Sequence, residues 1–304
     1  MSLLPVRFTL RQLECFVAAA QLGTFSGAAE RCTISEAGLS SAISELERSV
    51  GVQLLLRHRA RGVTLTDAGR RILAQAVEIL GRAGDLQLEA GHLGSKVAGT
   101  LAIGCYTTLA PFVIPPLLTG FHTEYPNIEL TFREASQPEL EKELANGELE
   151  LALLYDRELR SETERIVIRS IRPHILLAED HPLAKQDAVS LCELAREPMV
   201  LFDVAPSREN CIAAFEQLGA QPLVGFRTEN FELLRCLVAR RVGYAFLFQQ
   251  VSTGLTYEGR GVVIRPIAEP VEATSLVLAY PRGTRLTRRA ELFVDYALAA
   301  LLRD

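Results

Sequence analysis

No apolar stretch in this chain approaches the ~18 residues that a membrane-spanning helix requires. The N-terminus lacks a signal-peptide core, because Arg7, Arg11 and Glu14 interrupt its apolar pattern and no small-residue cleavage site follows. These absences predict a cytoplasmic protein with no membrane partner. No GxSxG, Walker A, HExxH or dinucleotide fingerprint occurs, and His58, His92, His122, His174 and His181 show no metal-ligand spacing. Most of the histidines read as surface or loop residues, and the chain as no enzyme, with no metal and no cofactor. Cys15, Cys32, Cys105, Cys192, Cys211 and Cys236 include no CxxC pair, and in the cytosol most are expected to be small core residues.

What is present begins with two helices that need each other. In Phe25-Ser26-Gly27-Ala28-Ala29-Glu30, the small pair Ala28-Ala29 suits a closely packed helix. Cys32-Thr33-Ile34 turns the chain, and Ser35 caps a second helix over Glu36–Val50. Leu39, Ile43 and Leu46 form its buried stripe; Glu36, Ala37, Ser40, Ser41 and Ser44, small or short polar residues, face the other way. Two crossed helices on a short turn make a helix-turn-helix, whose second helix enters the DNA major groove. An apolar run over 52–56, the basic tip Arg57-His58-Arg59-Ala60-Arg61-Gly62 and the return Val63-Thr64-Leu65 then describe a hairpin wing. Its arginines suit phosphates or a narrow minor groove.

The net charge of −5 argues against nucleic acid only until its distribution is considered. Through Gly62 seven arginines face five glutamates, a net +2 that leaves −7 for the remainder. No Lys or Arg falls between Arg31 and Arg48, so base reading is expected from Ser35, Glu36, Ala37, Ser40 and Ser41. Ala37 can meet a thymine methyl, and Glu36 can accept from a cytosine amino group. The alternative for Glu36 is a carboxylate favoured by the helix N-terminus. Phosphate anchoring is expected from Arg31, Arg57, Arg59 and Arg61.

The order of these pieces resembles a known family. Phe8-Thr9-Leu10-Arg11-Gln12-Leu13-Glu14-Cys15-Phe16, Thr24 to Ala29, Gly51-Val52-Gln53-Leu54 and Leu65-Thr66-Asp67-Ala68-Gly69 are similar to the N-terminal domain of LysR-type transcriptional regulators. The resemblance is dense over the first 69 residues and rests on element order thereafter. It implies binding to double-stranded operator or promoter DNA, traffic with RNA polymerase and a homotetramer built as a dimer of dimers.

After Thr66 the residues Ile72, Ala76, Ile79, Ala83, Leu86 and Ala90 recur at heptad spacing, the pattern of a long helix that pairs with its copy. Gly69, Gly81 and Gly84 weaken the isolated helix and increase its dependence on a partner. A homodimer also presents two recognition helices to half-sites about 34 Å apart. Gly94-Ser95 reads as a hinge.

Beyond it strands and helices alternate, an α/β pattern with largely parallel sheets. Gly99 to Gly104, Tyr125-Pro126, Gly147 to Ala152 and His181-Pro182-Leu183-Ala184 resemble the family's effector domain. That domain implies two periplasmic-binding-protein-like subdomains around a cleft, with chain crossings here near 160–170 and 266–271. The predicted architecture is a winged helix-turn-helix, all-α with a small β wing, over 1–65, a linker helix over 66–94 and an α/β effector domain over 95–304. Its subdomains are 95–165 plus 270–304, and 166–269.

Ligands of such sheets bind beyond the strands' carboxyl ends and at helix N-termini. That rule selects Cys105, Tyr106, Thr107, Thr108, Asp203, Ser207, Arg208, Asn230, Phe231 and Phe248, besides the loops at Tyr155-Asp156 and Gln249. Hydroxyls with Arg208 suit a small carboxylate, aromatic if Tyr106, Phe202, Phe231 and Phe248 line the site. Thr107, Ser207 and Asn230 are alternatively plain helix caps. The predicted function is a regulator whose small-molecule effector changes operator binding. A rival is thiol sensing, with Cys211 near Arg208 as first choice and Cys105 as second. The family's peroxide sensors carry their cysteine in the loop before this helix, where this chain has Pro206. A metabolite-binding protein without DNA binding is the remaining alternative, followed by an α/β enzyme.

Overall fold

The structure, a computed structural model, describes residues 6–58, 62–91, 97–157, 159 and 161–302, with only the backbone of 85 and 87–91. Arg59, Arg61 and the hinge at Gly94-Ser95 lie outside the described residues.

Helix α1 (Leu10–Leu22) opens with a capping box between Thr9 and Gln12 and ends at left-handed Gly23. Helices α2 (Phe25–Arg31) and α3 (Glu36–Val50) follow, capped by the hydroxyls of Thr24 and Ser35. Between them Thr33 takes a φ of +56°, uncommon for a β-branched residue. Backbone bonds from Thr33 N to Glu30 O and from Ile34 N to Ala29 O, each 3.0 Å, hold that turn. Leu39, Ile43 and Leu46 are buried together with Leu13, Phe16 and Ala28, so the apolar stripe of α3 closes the core as its spacing requires.

Strands β1 (Leu55–His58) and β2 (Gly62–Leu65) pair antiparallel to form the wing. Glu47, on α3, accepts from the backbone of Leu54 at 2.8 Å and Leu55 at 3.1 Å, which ties the recognition helix to the wing's base. Gly62 has a φ of +77°, and a Cβ there would stand 2.2 Å from the Gly23 carbonyl, so no larger residue fits.

Helix α4 (Asp67–Gly91) starts where Thr66 Oγ1 accepts from Gly69 N at 2.9 Å. The predicted heptad seam is split. Ala76 is buried with Leu73 against α1, while Ile79 and Leu86 remain exposed. The reason is that spacings of 3 and 4 describe both a self-pairing seam and a face turned to the helix's own domain. The side chain of Ala90 lies outside the described residues.

The effector part has a first sheet in the order β4-β3-β5-β12-β6, from β3 (Gly99–Tyr106), β4 (Ile128–Ala135), β5 (Leu151–Tyr155), β6 (Thr163–Ile171) and β12 (Thr274–Pro281). A second sheet in the order β10-β7-β11 joins β7 (His174–Ala178), β10 (Ala245–Leu247) and β11 (Val262–Pro266). Strands β8 (Pro198–Phe202) and β9 (Leu223–Thr228) pair separately. Helices α5 (Ala110–Glu124), α6 (Gln137–Ala145) and α10 (Arg288–Leu301) belong to the first subdomain; α7 (Leu191–Leu194), α8 (Ser207–Glu216) and α9 (Phe231–Ala239) belong to the second.

Two expectations are corrected. The sheets are not largely parallel: the five-stranded sheet is mixed, since β12 runs antiparallel to β5 and β6, and the three-stranded sheet is antiparallel throughout. Residues 163–171 are not a crossing but the edge strand β6, so the boundary expected at 165–166 cuts through a strand. The charges Glu164 and Arg165 occupy exposed positions of this edge strand and, with the half-buried Arg169, disguise its pattern. The chain crosses between Ile171 and His174 and returns between Pro266 and Thr274.

Candidate functional site

Ser35, Glu36, Ala37 and Ser41 are exposed on the first turns of α3. Ser40 is half-buried, and its hydroxyl accepts from Arg57 Nη1 at 2.9 Å. The Arg57 guanidinium also stands 4.6 Å from the centre of the Phe25 ring, a cation–π distance. A residue expected to read bases and one expected to hold phosphate are thus bonded to each other, and together they brace wing against helix.

Arg31 is placed differently. Its Nη1 donates to Gln21 Oε1 at 2.7 Å, and Gln21 Nε2 donates onward to the carbonyls of Asn146 at 3.2 Å and Gly147 at 3.1 Å. Arg31 therefore lines a hollow of about 350 Å³ between the N-terminal helices and the first subdomain, with Gly147, Glu150 and Arg289 among its other walls. Nothing in the sequence marked Gln21 as a connector, because a lone glutamine at a helix end carries no local signal.

The cleft between the subdomains brings residues of both together. Tyr106 Oη lies 3.3 Å from Ser207 Oγ across it. Gln249 Nε2, from the second subdomain, donates to Tyr155 Oη in the first at 2.8 Å. The Tyr155 ring sits edge-on to Tyr106 at 5.5 Å and against Phe248 at 5.7 Å. Phe231 meets Phe202 on its own side at 5.9 Å and Phe112 on the other at 6.0 Å. Thr108 Oγ1 is buried near both phenols without a hydrogen bond of good geometry. Burial pushes the Tyr106 phenol up to about 12, and the Tyr155 phenol further, so both stay neutral donors. The space left among Thr108, Tyr155, Ser207, Phe231 and Phe248 is about 10 Å³, room for one water.

The remaining predicted cleft residues divide. Ser207 is no cap, since α8 starts without a side-chain cap bond, and its hydroxyl is spent on Tyr106 instead. Asn230 is the cap of α9, accepting from Leu233 N at 2.9 Å, and is exposed. Thr107 donates to the Ala135 carbonyl at 3.2 Å, and Cys105 is in the core. Arg208 is bonded on one side to Asp203 at 2.8 Å and on the other to Glu209, and Asp203 also faces Arg227 at 3.7 Å. With three of its five N–H donors spent on two carboxylates, Arg208 is not the unpaired cation that the carboxylate expectation assumed.

Among the cysteines, burial lifts the thiols of Cys211 to about 12 and of Cys105 well above the ordinary value. The Cys15 thiol, buried and beside Cys32, rises to about 11. Thiols held this way form little thiolate. Cys192 is exposed. His174 begins β7 and is buried, unlike the surface or loop placement expected of most of the histidines.

A winged helix-turn-helix with an exposed reading face, joined by a long helix to a two-lobed domain with a cleft, is the construction of a ligand-responsive DNA-binding regulator. Residues 10–70 match the family described as bacterial regulatory helix-turn-helix protein, lysR family, and residues 94–302 match the LysR substrate binding domain. The chain belongs to the LysR-type transcriptional regulators. It is 30% identical over 291 residues to the uncharacterized HTH-type transcriptional regulator YvbU of Bacillus subtilis, spanning 95% of this chain and 97% of that one. The hydrogen peroxide-inducible genes activator of Pectobacterium carotovorum is 29% identical, spanning 94% of both. The crystal structure of HinK, a LysR family regulator from Pseudomonas aeruginosa, superposes with a TM-score of 0.66 at 38% identity, covering 97% of this chain and 99% of that chain. Regulators of this family bind DNA and small effectors and oligomerise. Among the described residues no helix is long and apolar enough to cross a membrane.

Proposed function

We propose that this regulator reads operator DNA with Ser35, Glu36, Ala37 and Ser41 of α3, and that a small uncharged aromatic molecule in the inter-subdomain cleft changes how it does so. The observation that carries the reading is the exposed face of α3 beside a wing braced onto it through Arg57 and Ser40. By their place in the sequence at the wing tip, Arg59 and Arg61 supply charge for phosphates, and Arg57 joins them once the duplex is bound. Two copies pair through the exposed Ile79 and Leu86 of α4, and two such dimers form a homotetramer in the cytoplasm. The effector is uncharged because Arg208 is already paired with two carboxylates, and aromatic because Tyr155, Phe231 and Phe248 line the space beside the hydroxyls of Thr108 and Ser207. Opening or closing the cleft alters the spacing of the paired α3 helices, and with it the access of RNA polymerase. No step in this scheme turns over a substrate.

The test is DNA affinity across a panel of uncharged phenols and aryl ketones, in the natural chain and in Ser207→Trp, which fills the cleft. One compound is expected to change the affinity of the natural chain severalfold and leave the variant unmoved. A compound that acts equally on both places the effector elsewhere.

The similarity to a hydrogen peroxide-inducible activator favours thiol sensing as a second reading. Against it stands the burial of Cys211 behind Met199, 3.8 Å from its sulfur. Labelling of the folded protein with iodoacetamide separates the two: Cys192 is expected to react, and rapid reaction at Cys211 would restore the sensor.

A further inference from the structure

A second hollow opens within the second subdomain, lined by residues of α9, β7, β10, β11 and the segment 249–254. Its volume is about 200 Å³, against about 10 Å³ left in the cleft. Phe231, Leu247 and Gln249 form the partition between it and the cleft, since these three line both spaces. Its floor is His174, at the start of β7, immediately after the chain has crossed from the first subdomain. His174 is 2% exposed, and neither ring nitrogen has a hydrogen-bond partner. Buried polar atoms are normally paired, so two bare nitrogens on one ring facing a hollow indicate that something else belongs there.

The walls define what that is. Arg235 also lines the hollow, but its charge is met by Glu232 at 2.5 Å, and it donates to the carbonyls of Thr253 and Leu255 at 3.2 and 2.8 Å. No charge is left over for an anion or a cation. Burial holds the imidazole neutral, with its protonation pushed down to about 4, so it offers one N–H donor and one acceptor nitrogen. Ser252 and Thr253 supply exposed hydroxyls at the rim, and Leu176, Val262 and Ile264 supply apolar wall.

We infer that this hollow is a second ligand site, distinct from the cleft, for a small uncharged molecule whose hydroxyl or primary amide group both donates to and accepts from His174. Its occupant touches Gln249, whose amide bonds Tyr155 across the cleft, and Phe231, whose ring meets Phe112. Occupancy of the hollow thereby bears on the cleft's closure without entering it.

The test is saturation-transfer-difference NMR on the full-length protein, titrated with propionamide and with propane-1,2-diol. At least one probe is expected to give a saturable signal. Ser252→Trp, a change at an exposed rim position, is expected to abolish it. His174→Leu is expected to weaken it about tenfold, the cost of a lost hydrogen bond in a buried site. Ser207→Trp, which fills the cleft, is expected to keep the signal saturable with an affinity shifted severalfold through the shared wall, so failure here is separable from failure of the effector reading. A signal that rises linearly without saturating for both probes overturns the inference and leaves the hollow to water. A saturable signal unchanged in both the Ser252 and His174 variants overturns it as well, because binding is then elsewhere.

Discussion

On α3, Ser35, Glu36, Ala37 and Ser41 stand exposed beside a buried stripe of Leu39, Ile43 and Leu46, and the hydroxyls of Ser35 and Ser41 bond only within their own helix, to Gly38 N and to Glu45. In the cleft, Tyr106 with Ser207 and Tyr155 with Gln249 satisfy one another across the gap, leaving about 10 Å³. Water at an exposed face is exchanged for DNA with no rearrangement of the fold. A ligand for the cleft must instead replace two cross-subdomain contacts and part the rings behind them. On the proposed reading, the DNA-contacting face is thus preformed, whereas the cleft admits an effector only once the subdomains move.

The largest way to break that contrast is to damage one region and ask whether the other notices. Leu46→Ala removes a fully buried side chain from the N-terminal core, and about 2–5 kcal/mol of stability should go with it. Calorimetry should show the loss in the transition of the DNA-binding unit, with the effector domain's transition unmoved. A second separation uses pH. Because burial holds His174 near 4 in the folded state against about 6.5 when unfolded, the unfolded chain binds more protons between those values. The effector domain's stability is thus full above about pH 6.5 and falls as pH drops toward 4, by up to roughly 3 kcal/mol. Chemical denaturation across that range checks it, and His174→Leu should flatten the profile.

A third prediction divides the wing. Replacing Arg57, Arg59 and Arg61 together with Ala should weaken binding to all DNA sequences and lower the salt slope by as much as about 2.7, some 0.9 for each phosphate no longer neutralised. Arg57→Ala alone should change the slope least and base preference most, since its partners on the protein are Ser40 and Phe25. Equal slope changes at all three arginines, measured by anisotropy across a salt series, would undo that division. The smallest effect belongs to Gln249→Ala, which removes one cross-cleft hydrogen bond worth about 1 kcal/mol. It should raise effector affinity several-fold, by favouring the open form, without altering DNA affinity in the absence of ligand.

The same contrast governs what could be seen in the sequence. In the N-terminal region caps, stripes and turns are local: Ser35 and Thr66 cap where their positions foretell, and Leu39, Ile43 and Leu46 are buried as their spacing demands. The cleft is built from residues about a hundred positions apart, so strand ends located Tyr106 and Ser207 but not the bond between them. Arg208 looked like an open cation because sequence shows residue type, not that Asp203 and Glu209 already hold it. Strand β6 was hidden by an edge strand's charges, and His174 carried no signal because a single histidine in an apolar run reads as neither ligand nor core.

The preformed reading face is tested most directly by footprinting purified protein, free of added compounds, on the intergenic DNA beside its own gene. The account predicts a protected, roughly palindromic site with no ligand present, and a change in its extent when an uncharged aromatic compound fills the cleft. Protection that appears only after ligand is added would contradict it, because the reading face would then depend on the cleft.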